Sequence, residues 1–166
     1  MLKTDRPRIN IPLQSYDYAL EILAASGFLA LIGLPLFHYG QLPEQIPTHF
    51  GPDGMPDKFG PKISLWLLPV IGLFIYGLMT FLNRRPDWFN YPVKITAENA
   101  ARQYGLAVRM IRLLKALVML LFAYLVWGTI NVANGGSDGL NNWVLAIPLA
   151  TVGTAVGYMI VSATNK

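Results

Sequence analysis

Four apolar blocks, each about 20 residues long, run through this chain at residues 18–37, 63–82, 113–132 and 143–163. At about 1.5 Å of rise per residue, a helix of that length covers the ~30 Å hydrocarbon core of a bilayer. Backbone groups in lipid have no water to bond, so such segments must be helices. The fold expected is all-α: an integral membrane four-helix bundle, one membrane domain over residues 1–166. Composition agrees, with 54% hydrophobic and only 13% charged residues, where an ordinary soluble domain is about 25% charged. That excludes a disordered tail and a nucleic-acid-binding module, so no nucleic-acid partner is expected. There is no cysteine, which removes disulfides, thiol catalysis, Cys-ligated zinc and iron–sulfur clusters. The first block carries Ala24, Ala25, Ser26 and Gly27 near its start. A cleavable signal needs such small residues at its end, so the block reads as an uncleaved anchor.

Orientation follows from the basic residues. Eleven of the 13 Lys and Arg fall in the N-terminal arm, in the middle segment 83–112 with Lys115 just beyond it, and at Lys166. Only Lys58 and Lys62 lie in the loop 39–62, and the last hairpin, residues 134–142, has none. The positive-inside rule places both termini and the middle segment in the cytoplasm and the two loops outside. Trp66, Trp127 and Trp143 then fall near the outer boundaries, where interfacial aromatic belts sit. Thr96 is placed to cap a helix running from Ala97 through Arg112 into the third span, with Glu98 in its first turn. The basic residues of this segment are expected to meet anionic headgroups, and Lys115 to snorkel outward.

Polar residues within the spans are few. Asp17 and Glu21 are four apart and share a helix face at the mouth of the first span. Pairing with Arg or Lys of the middle segment is expected for them. No charged residue sits deep enough to suggest a proton relay. Gly153 and Gly157 form a GxxxG pattern, and Gly72 and Gly77 lie in the second span; all four read as helix-packing positions, with a homo-oligomer face as the other reading. Pro69 and Pro148 are expected to kink their helices.

The loop 39–62 carries the specific signal. Pro43, Pro47, Pro52, Pro56 and Pro61 exclude a regular helix. Pro52-Asp53-Gly54 is a turn: Pro presets φ, Asp caps and Gly accepts φ > 0. Two short extended arms around it would make a stiff, hairpin-like cap. His38, His49, Asp53 and Asp57 put two imidazoles and two carboxylates near one mouth of the bundle, the ligand types zinc uses. Their spacing matches no zinc motif, so His49 hydrogen-bonding to Asp57 or to a backbone carbonyl is the reading preferred, with metal binding and ligand or peptide recognition as the alternatives.

The pattern Leu-Pro-x-x-Ile-Pro-x-His-Phe, then a Gly-x-Pro-Asp run, an aromatic and Gly-x-Lys, resembles the bacterial domain of unknown function 1648 (DUF1648) family. That domain also occurs in membrane proteins of the Sdp immunity type. The positions carrying the resemblance are Leu42, Pro43, Ile46, Pro47, His49, Phe50, Gly54, Pro56, Asp57, Phe59, Gly60 and Lys62. After the first aromatic the family often has Asn, whereas this chain has Gly51. The resemblance implies a multi-pass protein of a bacterial cytoplasmic membrane. The reading adopted is a non-catalytic recognition or immunity-type module acting through its outer loop on an envelope protein or peptide, with no cofactor. The alternatives are a metal-dependent membrane enzyme using His49 and the nearby carboxylates, and a small transporter or channel subunit. The enzyme lacks an HExxH, GxSxG or P-loop motif, and the transporter lacks buried charge.

Overall fold

The computed structural model of the chain describes residues 6–141 and 146–164. Trp143, expected at an outer boundary, lies outside the described residues, as do Lys3 and Lys166. Among the described residues there are four α-helices: α1 (Ser15–His38), α2 (Leu67–Leu82), α3 (Ala100–Ala133) and α4 (Ala146–Thr164). All four belong to segments long and apolar enough to cross a membrane. Two strands, β1 (Gln45–Phe50) and β2 (Pro56–Pro61), pair antiparallel between α1 and α2. The fold is therefore not purely helical: the two arms of the Pro-rich loop make a ladder, because proline bars a helix there but is tolerated on a two-stranded ribbon with open edges.

Local chemistry explains the helix ends. Asp17 reaches back so that its Oδ2 accepts from Gln14 N at 2.9 Å, closing the first turn of α1. In front of α3, Thr96 N donates to Asn99 Oδ1 at 2.9 Å, and Asn99 N donates to Thr96 Oγ1 at 3.4 Å. Thr96 thus caps a single turn, and the regular helix opens at Ala100 rather than Ala97. The Thr96 hydroxyl also holds the Glu98 carboxyl below its usual range. Pro69 is the third residue of α2. In a first turn proline removes no hydrogen bond the helix would make, so the expected kink has no cause there. Pro35 of α1, by contrast, lies inside its helix.

The central element is α3, which packs on α1, α2, α4 and β1. Its 34 residues give a rod of about 50 Å, well beyond the ~30 Å apolar core. The main apolar cluster gathers Leu31 of α1, Ile46 of β1, Leu65, and Met119, Val126 and Ile130 of α3. The approach of α1 to α3 is tight: a Cβ on Gly27 would stand 3.1 Å from Met119 and Leu120. Outside this seam Leu29, Phe37, Leu73, Phe74, Leu149 and Val152 are exposed. So many large apolar side chains left exposed on the helices befit a lipid-facing protein.

Helix α4 is held to α3 by a buried polar pair. Gln103 Nε2 donates to Ser162 O at 3.1 Å, and Ser162 Oγ donates to Gln103 Oε1. The GxxxG glycines do not serve this contact: nothing lies within 4 Å of a Cβ placed on Gly153 or Gly157. The packing role expected for them, and for Gly77, is absent among the described residues. Gly72 does meet a neighbour, the Leu31 side chain.

Candidate functional site

Two clusters of polar residues mark opposite ends of the bundle. At the hairpin end, β1 and β2 pair Gln45 with Pro61, Ile46 with Gly60, Pro47 with Phe59, His49 with Lys58, and Phe50 with Pro56. The register slips on either side of His49. Ile46 and Pro47 are buried on the bundle, whereas Phe59 and Met55 stand in the open. The turn is closed by Gly51 N donating to Met55 O at 2.8 Å and Gly54 N to Gly51 O at 2.9 Å. Asp53 Oδ1 accepts from Met55 N at 3.0 Å, an Asx turn. Lys62 Nζ pairs with Glu44 Oε1 at 2.8 Å across the base of the hairpin.

The hairpin tip docks on the loop between α3 and α4. Leu140 N donates to Gly54 O at 2.8 Å. Gly54 has φ of 80°, and a Cβ there would collide with Leu140 O. Glycine is required at this position twice over, by the turn and by the neighbouring backbone. On the other side, a Cβ on Gly139 would stand 2.6 Å from Gly54 O. The two loops are therefore interlocked at one end of the bundle.

His49 Nδ1 lies 2.6 Å from Asp57 Oδ1. An ionised carboxylate only accepts, so the ring donates from Nδ1–H and its Nε2 is left for another partner. Both side chains are about half exposed. The four residues considered as metal ligands do not converge: among the described residues no three His, Asp or Glu side chains form a metal-holding group. Asp53 is turned onto its own loop, and His38 ends α1. The ladder brings His49 and Asp57 together as a pair, and no third ligand joins them among the described residues.

Beneath β1 lies a cavity of about 400 Å³. Its walls are mostly apolar, from Ile46 and Phe50 of β1 together with Leu65, Leu68, Leu125 and Val126. Thr48, His49, Ser64 and Thr129 supply polar atoms at its lining. Sequence reasoning did not find this cavity, because Leu125, Val126 and Thr129 lie more than 60 residues from the hairpin and read simply as span. Of the motif residues, Ile46, Pro47, His49, Phe50 and Gly54 line it; Pro43, Pro56, Asp57, Phe59 and Lys62 do not.

The second cluster joins α1, α2 and α3 at the opposite end. Arg112 NH1 donates to Asp17 Oδ1 at 3.0 Å, and Arg112 Nε lies 3.3 Å from Glu21 Oε1. Lys115 Nζ donates to Glu21 Oε2 at 2.6 Å and to Thr80 Oγ1 at 3.1 Å, and sits 4.8 Å from the centre of the Tyr76 ring. Two carboxylates and two cations balance in a seam where Asp17 and Lys115 are fully shielded. The expected outward snorkelling of Lys115 does not occur. Glu21, Thr80 and the ring face of Tyr76 satisfy the ammonium in place, so it gains nothing by reaching for water.

These features define a multi-pass helical membrane protein with a docked hairpin at one end and a neutralised ion cluster at the other. Residues 27–73 match the family described as "Domain of unknown function (DUF1648)", the family that the loop motif resembles. That segment takes in the C-terminal part of α1, the hairpin and the start of α2. An uncharacterised protein of the archaeon Archaeoglobus fulgidus is 40% identical over 73 residues, 39% of this chain and 40% of that protein. The match thus spans well under half of the relative's length. No solved structure matches the chain.

Proposed function

We propose that this protein is a non-catalytic recognition module of a prokaryotic cell membrane, with its termini and basic segment cytoplasmic and its hairpin outside. It binds an apolar or amphipathic peptide segment presented at the outer membrane surface. The observation that carries the reading is the cavity of about 400 Å³ roofed by β1. Its size falls within the ~300–1,000 Å³ range of ligand pockets, and its make-up, apolar walls with a few polar groups, is theirs as well. Three further features agree. The roof is a hairpin locked at its tip and its base, so the pocket is largely pre-formed. The exposed Met55 and Phe59 extend an apolar contact surface beyond the cavity. His49 is in the lining and is hydrogen-bonded to Asp57 through Nδ1, which orients its ring.

The test is photo-crosslinking in lipid nanodiscs with an amphipathic peptide carrying one diazirine. Labelling is expected to concentrate on Thr48, Phe50, Leu68 and Leu125, and to fall at least about tenfold in a Val126→Trp variant that fills the cavity. Labelling spread equally over lipid-facing residues such as Leu73 and Phe74, and unaffected by Val126→Trp, would refute the reading.

A further inference from the structure

We propose that the basic end of the molecule holds the phosphate of an anionic phospholipid headgroup, in a cavity built from the N-terminal arm and the segment that follows α2. Arg6, Arg8, Leu82, Arg85, Trp88 and Phe89 line a cavity of about 520 Å³, with the Asp87 carboxylate also in its wall. An adjoining cavity of about 260 Å³ shares Arg8, Arg85 and Asp87 with it and adds Arg84. The arginines are arranged rather than merely numerous. Arg6 NH1 donates to Asp87 O at 3.2 Å and to Phe89 O at 2.5 Å, and its guanidinium lies over the Tyr91 ring. Arg85 donates to both carboxylate oxygens of Asp87, at 3.2 and 3.0 Å, and stacks 4.2 Å from the centre of the Trp88 ring.

The charge does not balance among the described residues. Among the described residues, four guanidinium groups share one carboxylate, and Asp87 is already taken by Arg85. Arg8 stands 3.9 Å from that carboxylate with 81% of its side chain exposed. Arg84 is exposed and makes no ion pair among the described residues. The contrast with the seam of Asp17, Glu21, Arg112 and Lys115 is direct, since there every charge has its opposite. Guanidinium groups with free N–H pairs match phosphate oxygens bidentately.

The occupant is a lipid because the site adjoins the apolar surface of a span. Trp88 meets Phe81 of α2 edge-on, with ring centres 5.7 Å apart, and both are exposed. An indole beside arginines at the end of a span is interfacial chemistry, at the depth where headgroup phosphates lie. Leu82 in the lining offers contact to the glycerol and first methylenes.

Native mass spectrometry of the full chain in detergent, with phosphatidylglycerol or phosphatidylcholine added, tests this. One phosphatidylglycerol is expected to be retained in preference to phosphatidylcholine by at least about tenfold. The preference should vanish in Arg8→Gln/Arg84→Gln and survive in Arg102→Gln, which removes a cation elsewhere on the same end. Arg8→Lys/Arg84→Lys should keep part of it, and millimolar inorganic phosphate should leave the bound lipid in place. Far-ultraviolet circular dichroism identical to the parent chain shows that the variants fold. Equal retention of the two lipids, equal loss in Arg102→Gln, or displacement by inorganic phosphate would each overturn the proposal.

Discussion

Lys115 Nζ lies 2.6 Å from Glu21 Oε2, and none of the Lys115 side chain is exposed. The pair bridges α3 and α1, and Arg112 extends it to Asp17 one turn earlier on each helix. Removing one partner from such a cluster strands its opposite charge. Replacing both leaves only a change of packing.

Asp17→Ala is therefore expected to cost about 3–5 kcal/mol, read as a lower midpoint of thermal unfolding in detergent. Asp17→Ala/Arg112→Met should recover part of that loss. A midpoint within about 2 °C of the parent for the single variant would show that the cluster does not support the fold.

Gly54→Ala places a side chain at positive φ and against Leu140 O. The expected cost is about 1–3 kcal/mol, spent locally as release of the hairpin from the α3–α4 loop. Hydrogen exchange should rise at Leu140 N and at the hairpin tip, with α1 and α3 unchanged. Protection equal to the parent at Leu140 would contradict the interlock.

The His49–Asp57 pair is about half exposed on both sides. A pair so open contributes at most about 1 kcal/mol. Asp57→Asn should thus leave thermal unfolding near that of the parent while weakening peptide capture at the cavity, since it releases the His49 ring. A large loss of stability would make the pair structural instead.

Asp87 gives a pH dependence with a definite sign. The hydrogen bond from Arg85 lowers its carboxyl below the ordinary 3.8. Its contribution is fully present above that value and is lost as pH falls through the lowered folded value. Thermal unfolding of the parent and of Asp87→Asn should therefore differ by a constant amount from pH 7 to pH 5 and converge only below about pH 4. Convergence already between pH 7 and 5 would assign the effect to another group.

Orientation is checked by labelling. Cysteines introduced at Asp53 and Asp138 should react with an impermeant thiol reagent in intact cells, and one at Asn99 should not. The native chain has no cysteine, so the signal is unambiguous. Reaction at Asn99 alone would invert the topology.

Sequence by itself determined the apolar spans, the turn and that Asp17 and Glu21 pair with cations of the middle segment, without naming which. Apolar length demands a helix in lipid, Pro-Asp-Gly demands a turn, and carboxylates one turn apart at the mouth of a span need cations close by. These are local or compositional constraints, and each can be read without knowing what packs where. Tertiary structure alone decided that Lys115 stays inside, because its partners Glu21 and Thr80 come from two other helices. It also decided that Gly153 and Gly157 face away from the bundle, because Gln103 and Ser162 set how α4 meets α3. The cavity beneath β1 and the contact between Gly54 and Leu140 exist only where segments distant in sequence meet. No spacing along the chain encodes such a meeting: it depends on how α3, which packs on α1, α2, α4 and β1, brings both loops to the same end.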